Sequence, residues 1–184
     1  MLCLAFLYSA RPTKIRLPKI ETHQASHQHD AGVILCGRLL ALDLGQKRVG
    51  LAVSDERCIT VRPLKTVRRT NWKQLLRTVA ETVTAFDAQA LVIGLPLRLD
   101  GTEGMAADGA RALARNFGLS LNVPVYLQDE RLTSHEAEEE LRAAGIAGDD
   151  LRARVDGESA AIILRDFIES VRRSSAGAHR QDSA

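Results

Sequence analysis

The sequence predicts an α/β domain built on a mixed five-stranded sheet with helices on both faces. Three observations predict it. Three strand-like runs come first, between Arg38 and Val67. Two further strand-like runs each follow a helical stretch, the signature of β-α crossovers. One of these, Ala90 to Gly94, is apolar throughout, as a strand covered on both faces is.

The elements follow in order. Leu39 to Gly45 is an apolar run interrupted by Asp43 and closed by a glycine, which reads as a buried strand and its turn. Gln46, Lys47 and Arg48 form the polar tip, and Val49 to Ser54 is the returning strand of a hairpin. Ile59 to Val67 supplies a third strand, which Pro63 confines to an edge or a bulge. From Asn71 to Phe86, Trp72, Leu75, Leu76, Val79 and Val83 share one face of a helix. After the apolar strand comes a loop from Leu95 to Gly104, then a helix from Met105 to Phe117 and a strand from Val123 to Leu127. Thr133 and Glu136 form a capping box that opens a helix through Ala144. A charged stretch from Gly148 to Arg154 leads to Asp156, which opens a final helix to about Val171.

The 184 residues are 45% hydrophobic and 26% charged, a balance that excludes whole-chain disorder. No apolar run reaches the roughly 18 residues of a membrane span. Residues 1–36 begin apolar without a basic lead, which argues against secretion, and turn polar and aperiodic. They read as a poorly ordered extension, with residues 37–173 as the folded body and 174–184 as a polar tail. The net charge of +2 sits at the ends: the body between residues 33 and 170 holds 18 cations and 20 acids. A uniformly basic nucleic-acid coat is therefore excluded. Three cysteines without a C-x-x-C spacing point to a reducing compartment, and Cys58 reads as small core filler.

Three acids stand out by position. Asp43 ends the first strand, Glu130 with Asp129 ends the last strand, and Asp156 opens the last helix. The crevice of an open α/β sheet lies beyond its C-terminal strand ends. Carboxylates gathered there repel one another unless a hard cation such as Mg²⁺ or Mn²⁺ takes their oxygens. Such a cluster suits phosphodiester hydrolysis, in which metal ions stabilise attacking and leaving oxygens. Each acid also has a plainer reading: a turn former at Asp43, a partner of a neighbouring cation at Glu130, a first-turn helix acid at Asp156. Lys47, Arg48, Arg98 and Arg131 lie in loops at the same edge, placed to meet phosphates or simply solvated. Asp100 with Gly101 reads as a turn, and Ser54 and Asp55 lack a histidine base for nucleophilic catalysis.

Four ordered segments resemble one family. LDLGQKRVGLAVSD from Leu42 to Asp55, VIGLPLRLDGTEG from Val92 to Gly104, DERLTS from Asp129 to Ser134 and RVDGESAA from Arg154 to Ala161 are similar to the motifs of the YqgF/RuvX family. Its members are Holliday-junction-resolvase-like proteins, also described as pre-16S ribosomal RNA nucleases. The resemblance spans about Arg38 to Val171. It implies a ribonuclease H-like fold, a cytoplasmic location, maturation of the 5′ end of 16S ribosomal RNA and a divalent-metal site at Asp43, Glu130 and Asp156. Arg98 stands where the family often has Asn, and Gly157 where it often has Ala; no carboxylate is lost. Three function classes are carried forward: a metal-dependent nuclease on structured RNA or branched DNA, monomeric or homodimeric; a sugar-kinase-like or actin-like ATPase, disfavoured by the lack of a second domain; and a non-catalytic factor on ribosomal particles.

Overall fold

The computed structural model describes residues 37–98, 100–130 and 148–181, with side chains in the last segment described for residues 155–175. Among the described residues, nine elements run in the order β1 (Arg38–Leu44), β2 (Arg48–Ser54), β3 (Val61–Pro63), β4 (Val67–Arg68), α1 (Trp72–Phe86), β5 (Ala88–Leu95), α2 (Met105–Ser120), β6 (Val125–Asp129) and α3 (Gly148–Gln181). The sheet order is β3-β2-β1-β5-β6, with β4 also paired to β2. β1 and β2 are an antiparallel hairpin, and β1, β5 and β6 are parallel. This is the α/β class with a mixed sheet.

The strand order dictates where the helices lie. The crossovers β1-α1-β5 and β5-α2-β6 step in the same direction, and crossovers of one hand put both helices on one face. That face buries Leu40, Leu42, Val49, Leu51 and Val53 against Leu75 and Val79 of α1 and Phe117 of α2. The alternate residues Leu39, Ala41 and Ala52 face the other way, onto Ala160, Ile163, Leu164 and Phe167 of α3. Trp72 meets Phe117 edge-on, with ring centroids 4.8 Å apart, so the sole tryptophan belongs to packing. Cys58 is 2% exposed and is core filler, as expected. Ser54 is buried too: its Oγ accepts from the Leu39 amide at 2.9 Å and donates to the Asp55 carbonyl, so it ties β1 to β2.

Asn71 caps α1, its side-chain oxygen accepting from the Gln74 amide at 2.9 Å. Asn71→Ala leaves that donor without its cap and costs about 1 kcal/mol. Thermal unfolding will register this as a Tm lower by roughly 2–4 °C.

Several boundaries differ from expectation, the start of β5 at Ala88 and the end of α2 at Ser120 among them. The third strand is two pieces, β3 and β4, because the chain breaks from the ladder after Pro63; the Leu64 amide still donates to Leu51 at 2.7 Å. The final helix starts at Gly148, within the stretch expected to be an irregular charged loop, so Asp156 lies inside α3 and does not open it. The same helix continues past Val171 to Gln181, through most of the expected polar tail. The last strand starts at Val125, two residues later than expected. The extension over residues 1–36 and the helix expected from Thr133 to Ala144 lie outside the described residues.

Candidate active site

The parallel register sets the geometry of the site. β5 pairs with β6 through Gly94↔Gln128 and Leu95↔Asp129, and β1 pairs with β5 through Leu42↔Ile93. One residue further, Asp43 stands beside Gly94. The chain leaves β6 at Asp129, and the Glu130 amide donates to the Leu95 carbonyl at 3.3 Å. Glu130 therefore begins just past the C-terminal end of β5 and turns back over Gly94. A Cβ at Gly94 would lie 2.0 Å from Glu130 Oε2 and 2.8 Å from Ile163 Cδ1. The missing side chain is what gives the Glu130 carboxylate its place next to Asp43.

Asp156 arrives from the opposite side of the sheet from α1 and α2. Residues 156, 160, 163 and 167 share one face of α3, and the last three are buried against β1 and β2. Asp156 thus continues the core-facing stripe to the end of the sheet. β2 holds it in two ways. A Cβ at Gly50 would lie 1.7 Å from the Asp156 carbonyl oxygen, so helix and strand touch backbone to backbone there. Arg48 Nε donates to Asp156 Oδ2 at 2.8 Å, a pair with both side chains partly exposed.

The electrostatics show how tightly these acids are drawn together. Burial, together with the negative charge of Asp156, pushes the Asp43 carboxyl up to about 6. Burial pushes Glu130 up to about 8, with the charges of Asp43 and Asp129 adding to it. Asp43 is therefore coupled to Glu130 on one side and to Asp156 on the other. Among the described residues, no three Asp, Glu, His or Cys side chains close into a ready-made metal cage. The donor set nonetheless fits a hard divalent cation in its chemistry: oxygen ligands only, with a negative charge that is costly without a counter-ion.

The predicted cations are placed differently from one another. Arg48 is spent on Asp156. Lys47 is exposed at the hairpin tip. Arg98 is exposed in the loop beyond β5, where its backbone bonds to Thr102 and its guanidinium lies over Gly104. Arg131 lies outside the described residues. Asp100 is a turn residue, accepting from both the amide and the hydroxyl of Thr102. Asp55 likewise closes a turn, accepting from the Ile59 amide and the Thr60 hydroxyl. Sequence reasoning assigned no role to Gly50, Gly94 or Arg69. A glycine inside a strand was the available signal for the first two. Arg69 Nη1 donates to the Gly45 carbonyl at 3.1 Å and its amide to the Lys47 carbonyl at 3.0 Å, which pins the hairpin tip.

The protein is a nuclease of the α/β class, a hydrolase of phosphodiester bonds. It belongs to the RuvX family, whose model, described as Holliday junction resolvase, matches residues 37–170. A relative from Anaeromyxobacter sp. (strain Fw109-5) is 44% identical over 132 residues, 72% of this chain and 96% of that one. A second, from Anaeromyxobacter dehalogenans (strain 2CP-C), is 46% identical over the same shares of each chain. Both carry the name "Putative pre-16S rRNA nuclease". Among solved structures, T. thermophilus RuvC in complex with its Holliday junction substrate aligns with a TM-score of 0.48 at 14% identity, over 73% of this chain and 96% of that one.

Proposed function

We propose that this nuclease depends on a divalent cation, Mg²⁺ or Mn²⁺, and trims the 5′ end of precursor 16S ribosomal RNA in the cytoplasm. Asp43, Glu130 and Asp156 are its catalytic carboxylates. The observation that carries this reading is the coupling of Asp43 to both other acids at the sheet's C-terminal edge. The names of the relatives support the substrate.

The bound cation would supply Lewis acidity and an activated water. The chain's own residues do the rest. Near pH 7 Glu130 holds a proton until a cation replaces it, so it stays beside the ionised Asp43 in a partly buried place without mutual repulsion. Arg48 orients the Asp156 carboxylate and keeps one of its oxygens turned toward β2. Lys47, Arg98 and Arg131 position the phosphate backbone, which sets register without reading sequence. None of the five described aromatic residues is exposed, so base stacking contributes little.

The test is cleavage of precursor 16S RNA beside a four-way DNA junction, with Mg²⁺, with Mn²⁺ and with EDTA. RNA cut and junction intact is the expected result, with EDTA abolishing it. The family description favours one second reading, symmetric cutting of the junction, which also predicts a homodimer. Neither substrate cut, as free nucleic acid or within ribosomal particles, contradicts the nuclease assignment at these residues.

A further inference from the structure

The open edge of the sheet carries a charge pattern that the active site does not account for. Between Arg57 and Ala80 the chain has seven cations (Arg57, Arg62, Lys65, Arg68, Arg69, Lys73 and Arg77) and no acid, although cations and acids nearly balance over the whole sequence. This segment forms β3, β4 and the start of α1, the edge beside the β1–β2 hairpin. Three of its cations have other duties. Arg62 stacks over Phe86, Arg69 holds the hairpin tip, and Arg77 pairs with Glu81. Lys65, Arg68 and Lys73 are exposed and make no side-chain ion pair or hydrogen bond among the described residues.

Arg68 is the informative one. It is the register partner of Arg48 across the β2–β4 ladder. Directly opposed residues of an antiparallel pair share a face, and like charges there are destabilising. Arg48 faces Asp156, so Arg68 lies on the same face of the sheet as the carboxylates. It stands two strand spacings across and two residues along from Asp43, on the order of 12 Å. Charged edge strands, lysine-bearing ones above all, ward off aggregation, but that purpose does not require like charges opposed across a ladder. An acid-free edge with like charges opposed beside a nuclease centre calls for an anion.

We propose that Lys65, Arg68 and Lys73 form a phosphate track along the β4 edge of the sheet that receives the backbone of double-helical nucleic acid, with Arg68 on the face of Asp43. The inference rests on the nuclease reading for its direction but not for its existence. The partner is double-helical because a single-strand groove needs aromatic platforms, and the described aromatics are all packed into the protein. Duplex RNA and duplex DNA present the same phosphate chemistry, so both are probes.

The experiment measures binding, not cleavage, in EDTA, by fluorescence anisotropy of the full chain with a short RNA duplex, the matching DNA duplex and one single strand. The triple variant K65Q/R68Q/K73Q is compared with wild type, and with the single variant R115Q, whose change lies on α2, the helix packed on β5 and β6 away from this edge. Circular dichroism confirms that each variant is folded. The expected result is at least about a tenfold weaker duplex affinity for the triple variant. The slope of log affinity against log salt falls by about 2–3, near 0.9 per lost phosphate contact on DNA. The R115Q variant stays within about twofold of wild type, the scale of a lost exposed charge with no phosphate partner. Tighter binding of one duplex identifies RNA or DNA as the source of the backbone; either supports the track. An unchanged salt slope overturns it, as does tighter binding of the single strand. Because cleavage is scored elsewhere, loss of the nuclease reading leaves this result standing, and the reverse holds too.

Discussion

Asp43→Asn will lose cleavage by about 10³-fold or more, the scale of deleting a group that stabilises transition-state charge, and will gain stability. The two effects have one cause. In the native state the Asp43 carboxyl titrates at about 6, against 3.8 when unperturbed. A raised native pKa means that the folded state holds the proton more tightly than the unfolded state. Stability therefore falls as pH rises from about 4 to about 6 and stays reduced above that. The cost at pH 8 is about 1–3 kcal/mol, taking roughly 1.4 kcal/mol per pH unit and discounting for partial exposure. Asparagine cannot ionise and avoids this cost. In the absence of divalent cations the variant should melt several degrees higher than wild type at pH 8, and no higher at pH 4. A lower melting point at pH 8 would show that Asp43 is a structural hydrogen-bonding residue and not a strained acid held for function.

Gly50→Ala will have the largest effect on folding. Its methyl group would sit 1.7 Å from the Asp156 carbonyl oxygen and 2.4 Å from the carbonyl carbon. Neither atom belongs to a flexible side chain, so β2 and α3 must separate. Overpacking of this kind costs about 3 kcal/mol or more, equivalent to roughly 6–12 °C in Tm. The movement also strains the Arg48–Asp156 pair, so cleavage falls with stability. Gly94→Ala makes the contrast. Its nearest conflict, at 2.0 Å, is with the end of the Glu130 side chain, which can swing away. That variant should lose activity more than stability. Equal loss of stability in the two variants would contradict the different roles given to these glycines.

The sequence made the scaffold legible where a local pattern decides the structure. The Leu39–Gly45 run, the Lys47–Arg48 tip and the Val49–Ser54 return gave the hairpin, and the three-and-four spacing from Trp72 to Val83 gave α1. It failed where the deciding contact is remote. Nothing local distinguishes Gly148 to Arg154 as helix: the stretch is charged, and the apolar stripe that packs on the sheet starts only beyond it. Asp156 then looks like a helix opener, although it is an interior residue held by Arg48, 108 positions earlier in the chain. The acids at strand ends were legible as a set, since parallel strands bring equivalent ends together. What makes them a site was not. The clearance at Gly94 and the backbone contact at Gly50 are relations between elements, and a strand glycine announces only that something comes close. The basic edge was visible as an acid-free run, but its meaning depends on β4 pairing with β2 so that Arg68 faces Arg48.

The measurement that tests the central claim most directly is proton release on cation binding. Mn²⁺ or Mg²⁺ is titrated into the protein near pH 7 by calorimetry, in buffers of different ionisation enthalpy. Glu130, raised to about 8, is then largely protonated, and Asp43, raised to about 6, largely ionised. Binding at these carboxylates must expel about one proton, and affinity must rise with pH as that proton is lost. Glu130→Gln should bind with almost no release, and Asp43→Asn should bind weakly. Cation binding without proton release, or with the same release in Glu130→Gln as in wild type, would contradict a catalytic cation held by these acids.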